Sequence, residues 1–144
     1  MTTVLVVDDS DSIRKFVRIV LEPQGCNVIE AEDGALGMEA LRATTEPGVV
    51  LLDYHMPNLD GWEVLQQVAA SSGPLTEHQY IVITADVSTF PEAYIELLRV
   101  VSIRILAKPF QPQELVAAVT QAVERLSAPV PSPVTADAET YRDS

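Results

Sequence analysis

Cysteine, basic residues and long apolar runs are all scarce in this chain of 144 residues, and each scarcity excludes a class of protein. The single cysteine, Cys26, cannot form an internal disulfide, which favours a reducing compartment, and we expect a cytoplasmic protein. The 9 lysines and arginines stand against 21 aspartates and glutamates, which gives a formal charge of -12. Such a charge disfavours binding to nucleic acid or anionic membrane, because both need a basic surface. No apolar run approaches the roughly 18 residues of a membrane span.

Short, mainly aliphatic runs alternate with stretches of helical periodicity along most of the chain. The runs cover residues 4–7, 27–31, 49–53, 80–83 and 103–107. Short apolar runs bounded by turn residues are typical of strands buried on both faces, as in the parallel sheet of an α/β protein. We predict five βα units that form a five-stranded parallel sheet with helices on both faces. Of the common orders for such sheets, we expect the flavodoxin-like order 2-1-3-4-5.

Residues suited to a helix N-terminus precede each helical pattern: Ser10, Asp11 or Ser12, then Asp33, Asp60, Pro91 and Pro112. The expected core positions of the second, third and fourth helices include Leu36, Ala40, Leu41, Trp62, Leu65, Val68, Ala69, Ile95, Leu98 and Val101. Residues 71–79 are polar and are expected to form a loop, in which we assign no role to His78.

The composition changes at residue 127. Residues 1–126 carry the apolar periodicity of one domain, and residues 127–144 are rich in proline and then in small, polar and acidic residues. The second segment lacks the apolar pattern that packing requires. We therefore expect one domain over residues 1–126, followed by a disordered tail or the beginning of a linker.

Four of the five predicted strands end in a polar residue. Asp8 and Asp9 follow the first strand, Asp53 ends the third, Thr84 follows the fourth and Lys108 follows the fifth. Because ligand sites in open α/β sheets form beyond the carboxyl ends of the strands, we expect these side chains to converge. Three neighbouring carboxylates repel one another unless a cation neutralises them. An all-oxygen site of this kind suits Mg²⁺.

A metal ion, a lysine and a hydroxyl beside these acids form a set suited to phosphoryl transfer. Asp53 can act as the nucleophile and form an acyl phosphate. Lys108 would then pair with one phosphoryl oxygen, and Thr84 would donate a hydrogen bond to another. Taken singly, Asp8 and Asp9 are equally consistent with solvated acids before a helix N-terminus. Only the combination is specific.

In this order and context the residues resemble those of a known family. The chain resembles a response-regulator receiver domain of two-component signalling, of the single-domain, chemotaxis-receiver kind, over about residues 3 to 126. The motifs that carry the resemblance are Asp8-Asp9, Asp53-x-x-Met56-Pro57-x-x-Asp60-Gly61, Thr84-Ala85 and Lys108-Pro109-Phe110.

The resemblance implies that Asp53 accepts a phosphoryl group from a histidine kinase or phosphotransfer protein, and that the phosphorylated form modulates a partner protein. It implies that Asp9, Asp53 and the backbone carbonyl of His55 bind Mg²⁺ directly, while Asp8 acts through water. It also implies a cis Lys108-Pro109 bond that directs the lysine inward.

The resemblance further implies that the first helix docks the kinase, and that the fourth helix, fifth strand and fifth helix carry the output. On the first helix, Arg14, Lys15 and Arg18 lie opposite the expected core face and fit a kinase contact. An ordinary solvated helix face explains them equally well.

Two positions depart from the family pattern. Ile105 stands three residues before the lysine, where the family usually has Tyr or Phe, and Val101-Ser102 replaces the usual Gly-Ala. We hypothesise that phosphorylation is retained while the output face changes shape differently, or less. His55, two residues after Asp53, is expected to tune the lifetime of the acyl phosphate, with an exposed loop side chain as the alternative.

Two other functions remain open at the level of sequence. A Mg²⁺-dependent phosphatase with an aspartyl-phosphate intermediate would want an acid two residues after the nucleophile, where this chain has His55. A phosphorylation-independent interaction module is kept open by Ile105. A receiver would catalyse only its own phosphorylation and dephosphorylation. Nucleotide binding is disfavoured because the loop of residues 8–12 contains no glycine.

Overall fold

Five parallel strands form the centre of the protein, and helices cover both faces of the sheet. The computed structural model describes residues 2–71, 77–100 and 103–127. The strands are β1 (Thr3–Val7), β2 (Asn27–Ala31), β3 (Val49–Asp53), β4 (Gln79–Thr84) and β5 (Arg104–Ala107). They lie in the order β2-β1-β3-β4-β5, and each neighbouring pair is parallel. The predicted fold class and strand order are confirmed.

Acidic and hydroxyl side chains begin three of the helices as the sequence predicts. The α-helices are α1 (Asp11–Leu21), α2 (Gly34–Ala43), α3 (Gly61–Ala69), α4 (Glu92–Val100) and α5 (Pro112–Ser127). Ser10, Asp33 and Asp60 each accept a hydrogen bond from a backbone N–H in the first turn of the helix that follows. Asp60 also forms a capping box, because Glu63 accepts a hydrogen bond from its backbone N–H.

The two faces of the sheet bury separate hydrophobic cores. Alternation along β1 sends Leu5 and Val7 to the core under α2, α3 and α4, and Val4 and Val6 to the core under α1 and α5. All five residues of β3 are buried, because this strand lies at the middle of the sheet with helices on both sides. Asp53, the last residue of β3, therefore ends a strand that water does not reach from either face.

Helix α2 buries Leu41 and, in part, Ala40 as predicted, but it does not bury Leu36. Leu36, expected in the core, is 44% exposed, while Met38 and Leu41 are buried. The reason is the close approach of α2 to β1, since a Cβ at Gly37 would lie 2.8 Å from Val7 Cγ1. The buried face is therefore centred on Gly37, and Leu36 points away from it.

Smaller differences from the predicted core concern α3 and α4. The expectation that Ala69 is buried is wrong, whereas Val64 and Tyr94 are buried without having been predicted. Val101, Ser102 and the tail of residues 128–144 lie outside the described residues.

Within the described parts of the chain, none of the helices has both the length and the apolar character needed to cross a bilayer.

His78 lies in a buried position, although the sequence places it in a polar loop. Its Nδ1 accepts a hydrogen bond of 2.9 Å from the backbone N–H of Gly48, in the turn before β3. The bond connects the start of β4 to the start of β3 at the edge opposite Asp53. Burial lowers the pKa of the His78 imidazole. The residue has a structural role that its local sequence does not indicate.

Candidate functional site

Three carboxylates converge at the carboxyl edge of the sheet. Asp8, directly after β1, is fully buried, Asp53 is 4% exposed, and Asp9 is exposed to solvent. One carboxylate oxygen from each lies within 4.8 Å of the others. Asp8 is held by its own backbone, since its N–H donates to the Ala31 carbonyl at 3.1 Å. Its Oδ1 also accepts from the Ser10 N–H at 2.9 Å.

Lys108 reaches the same cluster from the end of β5. Its Nζ lies 2.9 Å from Asp8 Oδ2 and 3.4 Å from Asp53 Oδ1. Its backbone N–H donates to the Thr84 carbonyl at 2.7 Å, which continues the pairing of β4 with β5 beyond the strands. The Lys108-Pro109 peptide bond is cis, as the family resemblance implied.

Thr84 ends β4 beside the cluster and is fully buried. Its Oγ1 accepts a hydrogen bond of 3.2 Å from the backbone N–H of Asp86. This bond uses a lone pair of the hydroxyl oxygen and leaves its proton available to an acceptor. The structure thus places all five residues that the sequence assigns to the strand ends at the same edge of the sheet.

The neighbouring charges and the burial of the cluster change the pKa values of Asp53 and Lys108. Burial raises the pKa of Asp53 to about 7, the Asp8 charge adds to the increase, and the Lys108 charge opposes it. Burial lowers the pKa of the Lys108 ammonium, but its hydrogen bond with Asp8 and the Asp53 charge outweigh that effect and raise it. With one ammonium against three carboxylates, the ionised cluster retains excess negative charge.

The cluster fits a hard divalent cation. Its donors are carboxylate oxygens, the ligand type that Mg²⁺ prefers, and Asp9 gives it a side open to water. Asp8, Asp9 and Asp53 each offer one carboxylate oxygen to such an ion. The excess negative charge and the raised pKa of Asp53 are what a bound cation would relieve.

The loop between β3 and α3 carries His55 beside the site. The His55 side chain is exposed, and its Nε2 lies 3.0 Å from Thr89 Oγ1. Thr89 donates its own hydroxyl proton to the Asp86 carbonyl, so His55 must be the donor in the bond between them. The loop is tied to α2, because the Asn58 amide donates to Asp33 Oδ2 at 2.8 Å.

The three basic residues expected opposite the core face of α1 differ in their exposure. Arg14 is 5% exposed, so its expected position on the open face of α1 is wrong. The cause is an acid on the neighbouring strand, since Arg14 Nε donates to Glu30 Oε1 at 3.0 Å. Arg18 also pairs with Glu30, whereas Lys15 is exposed. In the sequence, Glu30 is the one acid within β2, and its position among apolar residues was the feature that could have indicated these ion pairs.

An aromatic cluster next to Asp53 was missed by sequence reasoning. Tyr54 packs against Phe90 and Tyr94 with ring centroids 4.6 Å and 4.9 Å away, and Tyr94 stacks on Trp62 at 5.5 Å. Ile105, at the usual aromatic position, packs against the same core. Tyr94 is fully buried, and its Oη has no hydrogen-bond partner among the described residues.

The sequence of this chain is similar to those of known response regulators. The sequence model of a family described as the response regulator receiver domain matches residues 4–120. Protein PilG of Pseudomonas aeruginosa is 32% identical over 116 residues, which cover 81% of this chain and 83% of PilG. The KDP operon transcriptional regulatory protein KdpE of Escherichia coli is 35% identical over 129 residues, 89% of this chain but 54% of KdpE. The chain therefore spans most of PilG and about half of KdpE.

Solved structures show the same architecture. The chemotaxis protein CheY4 of Vibrio cholerae has a TM-score of 0.72 and 30% identity, covering 85% of this chain and 98% of CheY4. A CheY-like response regulator receiver domain protein of Methanospirillum hungatei has a TM-score of 0.74 and 26% identity. That match covers 88% of this chain and 97% of the other.

Proposed function

The chain belongs to the response regulator receiver domain family, whose members are phosphorylatable modules of two-component signalling, and we propose that Asp53 is its phosphoryl acceptor. The observation that carries the proposal is the position of the Asp53 carboxylate. It is buried, lies with Asp8 and Asp9 in a cluster of acids, and has the Lys108 ammonium 3.4 Å away. These are the groups that phosphoryl transfer to an aspartate requires.

In the proposed reaction, an oxygen of ionised Asp53 attacks the phosphorus of a phosphohistidine on a kinase or phosphotransfer protein. The new P–O bond forms as the P–N bond breaks, and the electron pair of the broken bond stays on the imidazole, which takes a proton from water. Lys108 pairs with one phosphoryl oxygen, and the free proton of the Thr84 hydroxyl bonds another.

Mg²⁺ would be held by Asp9, Asp53 and the backbone carbonyl of His55, with Asp8 acting through water. When bound, the ion supplies positive charge that keeps Asp53 ionised and neutralises the transferred group. Asp53 needs this help because its raised pKa leaves the carboxylate partly protonated near neutral pH. The chain would catalyse its own phosphorylation and dephosphorylation only.

The proposal extends to location, domains and partners. One receiver domain would occupy residues 1–126, with residues 127–144 as a tail or linker, in a cytoplasmic protein. On α1, exposed Lys15 and partly exposed Arg18 remain candidate kinase contacts, while the buried guanidinium of Arg14 is already engaged. The phosphorylated form would act on a downstream protein through α4, β5 and α5.

The output face should respond differently from that of an aromatic-bearing receiver, because position 105 carries isoleucine. This hypothesis is tested by NMR shifts on adding a phosphoryl mimic to native protein and to Ile105→Tyr. Equally strong shifts in both proteins, from Asp53 through Thr84 to residues 92–100 and 103–106, would contradict it.

The decisive test of Asp53 is mass spectrometry after incubation with Mg²⁺ and a small acyl-phosphate donor. Native protein should gain one phosphoryl group, and Asp53→Asn should gain none. Asp86→Asn is the matched control, because Asp86 is an exposed acid near the site but outside the cluster. An unlabelled native protein, or equal labelling of Asp53→Asn, would overturn the proposal.

A further inference from the structure

Arg14 is a buried arginine that directly contacts the backbone of the acidic cluster. Its Nη1 donates to the backbone carbonyl of Asp8 at 2.6 Å, its Nε donates to Glu30 at 3.0 Å, and its Nη2 pairs with Asp11. Burial of a guanidinium is costly unless its donors are satisfied, so these contacts are needed to keep it inside. Of these contacts, the one with Asp8 connects Arg14 to the acidic cluster that contains Asp53.

The carbonyl that Arg14 contacts belongs to the peptide group joining Asp8 to Asp9. The orientation of that peptide group sets the directions in which both side chains leave the backbone. The other side of Asp8 is already fixed, since its N–H donates to the Ala31 carbonyl. Arg14 fixes the remaining side, and the two carboxylates then meet Asp53 within 4.8 Å.

Glu30 in turn fixes the guanidinium. It accepts from Arg14 through Oε1 and from Arg18 through Oε2, at 3.0 Å in each case. Arg18 is further held by Glu22, at 2.6 Å. A planar guanidinium with one donor on Glu30 and another on the Asp8 carbonyl has little freedom to rotate. The shorter side chain of a lysine ends in a compact charge that lacks this fixed planar arrangement of donors.

The geometry points to Arg14 as a positioning residue for the divalent cation of the receiver, acting through the Asp8-Asp9 peptide. This inference rests on the proposed function for the identity of the ion and for the part it plays. It assigns to Arg14 a role inside the protein, in place of the partner contact that the sequence suggested.

The test is the affinity of the purified full chain for Mn²⁺, measured by electron paramagnetic resonance of the free ion without any phosphoryl donor. Arg14→Lys keeps the positive charge but loses the planar guanidinium. It should weaken Mn²⁺ binding by about 10-fold to 100-fold, the range typical of residues that orient metal ligands. Arg18→Lys is the matched control, because Arg18 shares Glu30 but makes no contact with Asp8. It should change the dissociation constant far less than Arg14→Lys does.

A role limited to stability would lower the melting temperature of Arg14→Lys and leave its metal affinity unchanged. At saturating metal, labelling of Asp53 in Arg14→Lys should return to within a few-fold of the native rate, because Arg14 does not touch the phosphoryl group. Unchanged affinity in Arg14→Lys, or equal weakening in Arg18→Lys, overturns the inference.

A second pair of variants covers the case in which Arg14→Lys does not fold. Glu30→Gln and Glu22→Gln each remove one negative charge from the network, but only Glu30 contacts Arg14. Glu30→Gln should weaken Mn²⁺ binding more than Glu22→Gln does, and equal effects overturn the inference. Since the metal is measured without phosphorylation, an unlabelled native protein would refute the phosphoryl-acceptor proposal and leave this result standing.

Discussion

The ammonium nitrogen of Lys108 lies 2.9 Å from a carboxylate oxygen of Asp8, a residue with no exposed surface. The pair joins the end of β5 to the end of β1 across the sheet, beside Asp53. A lysine in this position partly neutralises the acids, and it also repels any second cation that binds them. Lysine and metal ion therefore compete for the same negative charge.

Replacing Lys108 with methionine should strengthen Mg²⁺ binding on the order of tenfold, because the competing charge is removed. The same change should lower the melting temperature of the metal-free protein, since the buried acids lose their partner. Calorimetric titration and thermal denaturation in a chelator measure the two effects. Lys15→Met, on an exposed part of α1, is the charge-matched control. If it binds Mg²⁺ as tightly as Lys108→Met, net charge and not the local pair is responsible.

The metal-free protein should lose stability through Asp53 as the pH rises. Burial and the Asp8 charge raise the pKa of Asp53 from 3.8 to about 7, so between these values the folded protein holds a proton that the unfolded chain releases. The contribution is zero below the unfolded pKa and becomes destabilising as the pH rises to about 7, with a slope of at most about 1.4 kcal/mol per pH unit.

Denaturant unfolding of native protein and Asp53→Asn across this pH window measures the Asp53 contribution as a difference. Asp53→Asn should gain stability over native protein as the pH rises, and added Mg²⁺ should reduce that advantage. A difference that stays constant with pH would contradict the raised pKa.

His78 should make stability depend on pH in the opposite direction. Its pKa is lowered from 6.5 by burial, so below that pH the unfolded chain takes up a proton that the folded protein resists, and stability falls with decreasing pH. His78→Asn, whose side-chain oxygen can still accept from Gly48, should remove this loss. The comparison is made in the Asp53→Asn background, which eliminates the opposing titration. Parallel pH profiles for the two proteins would show that His78 does not titrate.

Tyr94→Phe should stabilise the protein by about 1 kcal/mol, because it removes a buried hydroxyl that has no partner among the described residues. Tyr94→Leu keeps an apolar side chain but loses the ring contacts with Tyr54, Phe90 and Trp62, and should be less stable than native protein. Chemical denaturation followed by circular dichroism gives both values. A destabilised Tyr94→Phe would reveal a hydrogen bond to the hydroxyl.

His55→Ala should shorten the lifetime of the acyl phosphate, because the imidazole held by Thr89 would screen the phosphoryl group from water. Thr89→Val keeps the imidazole but removes the acceptor that orients it, together with the hydrogen bond from Thr89 to the Asp86 carbonyl, and should shorten the lifetime less. Loss of phosphorylated protein after removal of the donor is followed by mass spectrometry. Ser88→Ala, which alters a neighbouring hydroxyl that bonds Asp86, is the control. Equal dephosphorylation rates for native protein and His55→Ala would exclude this role.

The strands, the helix starts and the meeting of acids at one edge were predictable because their signals are local. The run of aliphatic residues before Asp53 gives the bounds of β3, and Asp33 and Asp60 each cap the helix that follows. Parallel pairing then brings the strand ends together, whatever the details of packing.

Features that depend on contacts distant in sequence were not predictable. Arg14 is drawn inward by Glu30, sixteen positions later, and His78 by Gly48, thirty positions earlier. Leu36 is exposed because Gly37 allows α2 to approach Val7 closely. In each case periodicity indicated a face or a loop, and a partner on another element decided the orientation.

The aromatic cluster also gives the protein an internal optical reporter. Trp62 is the single tryptophan of the chain, and its indole stacks on Tyr94, which in turn contacts the ring of Tyr54. Tyr54 directly follows Asp53, so a continuous set of ring contacts leads from the acid to the indole. Because indole emission depends on its immediate surroundings, a rearrangement of these rings would change the intrinsic fluorescence without any added label.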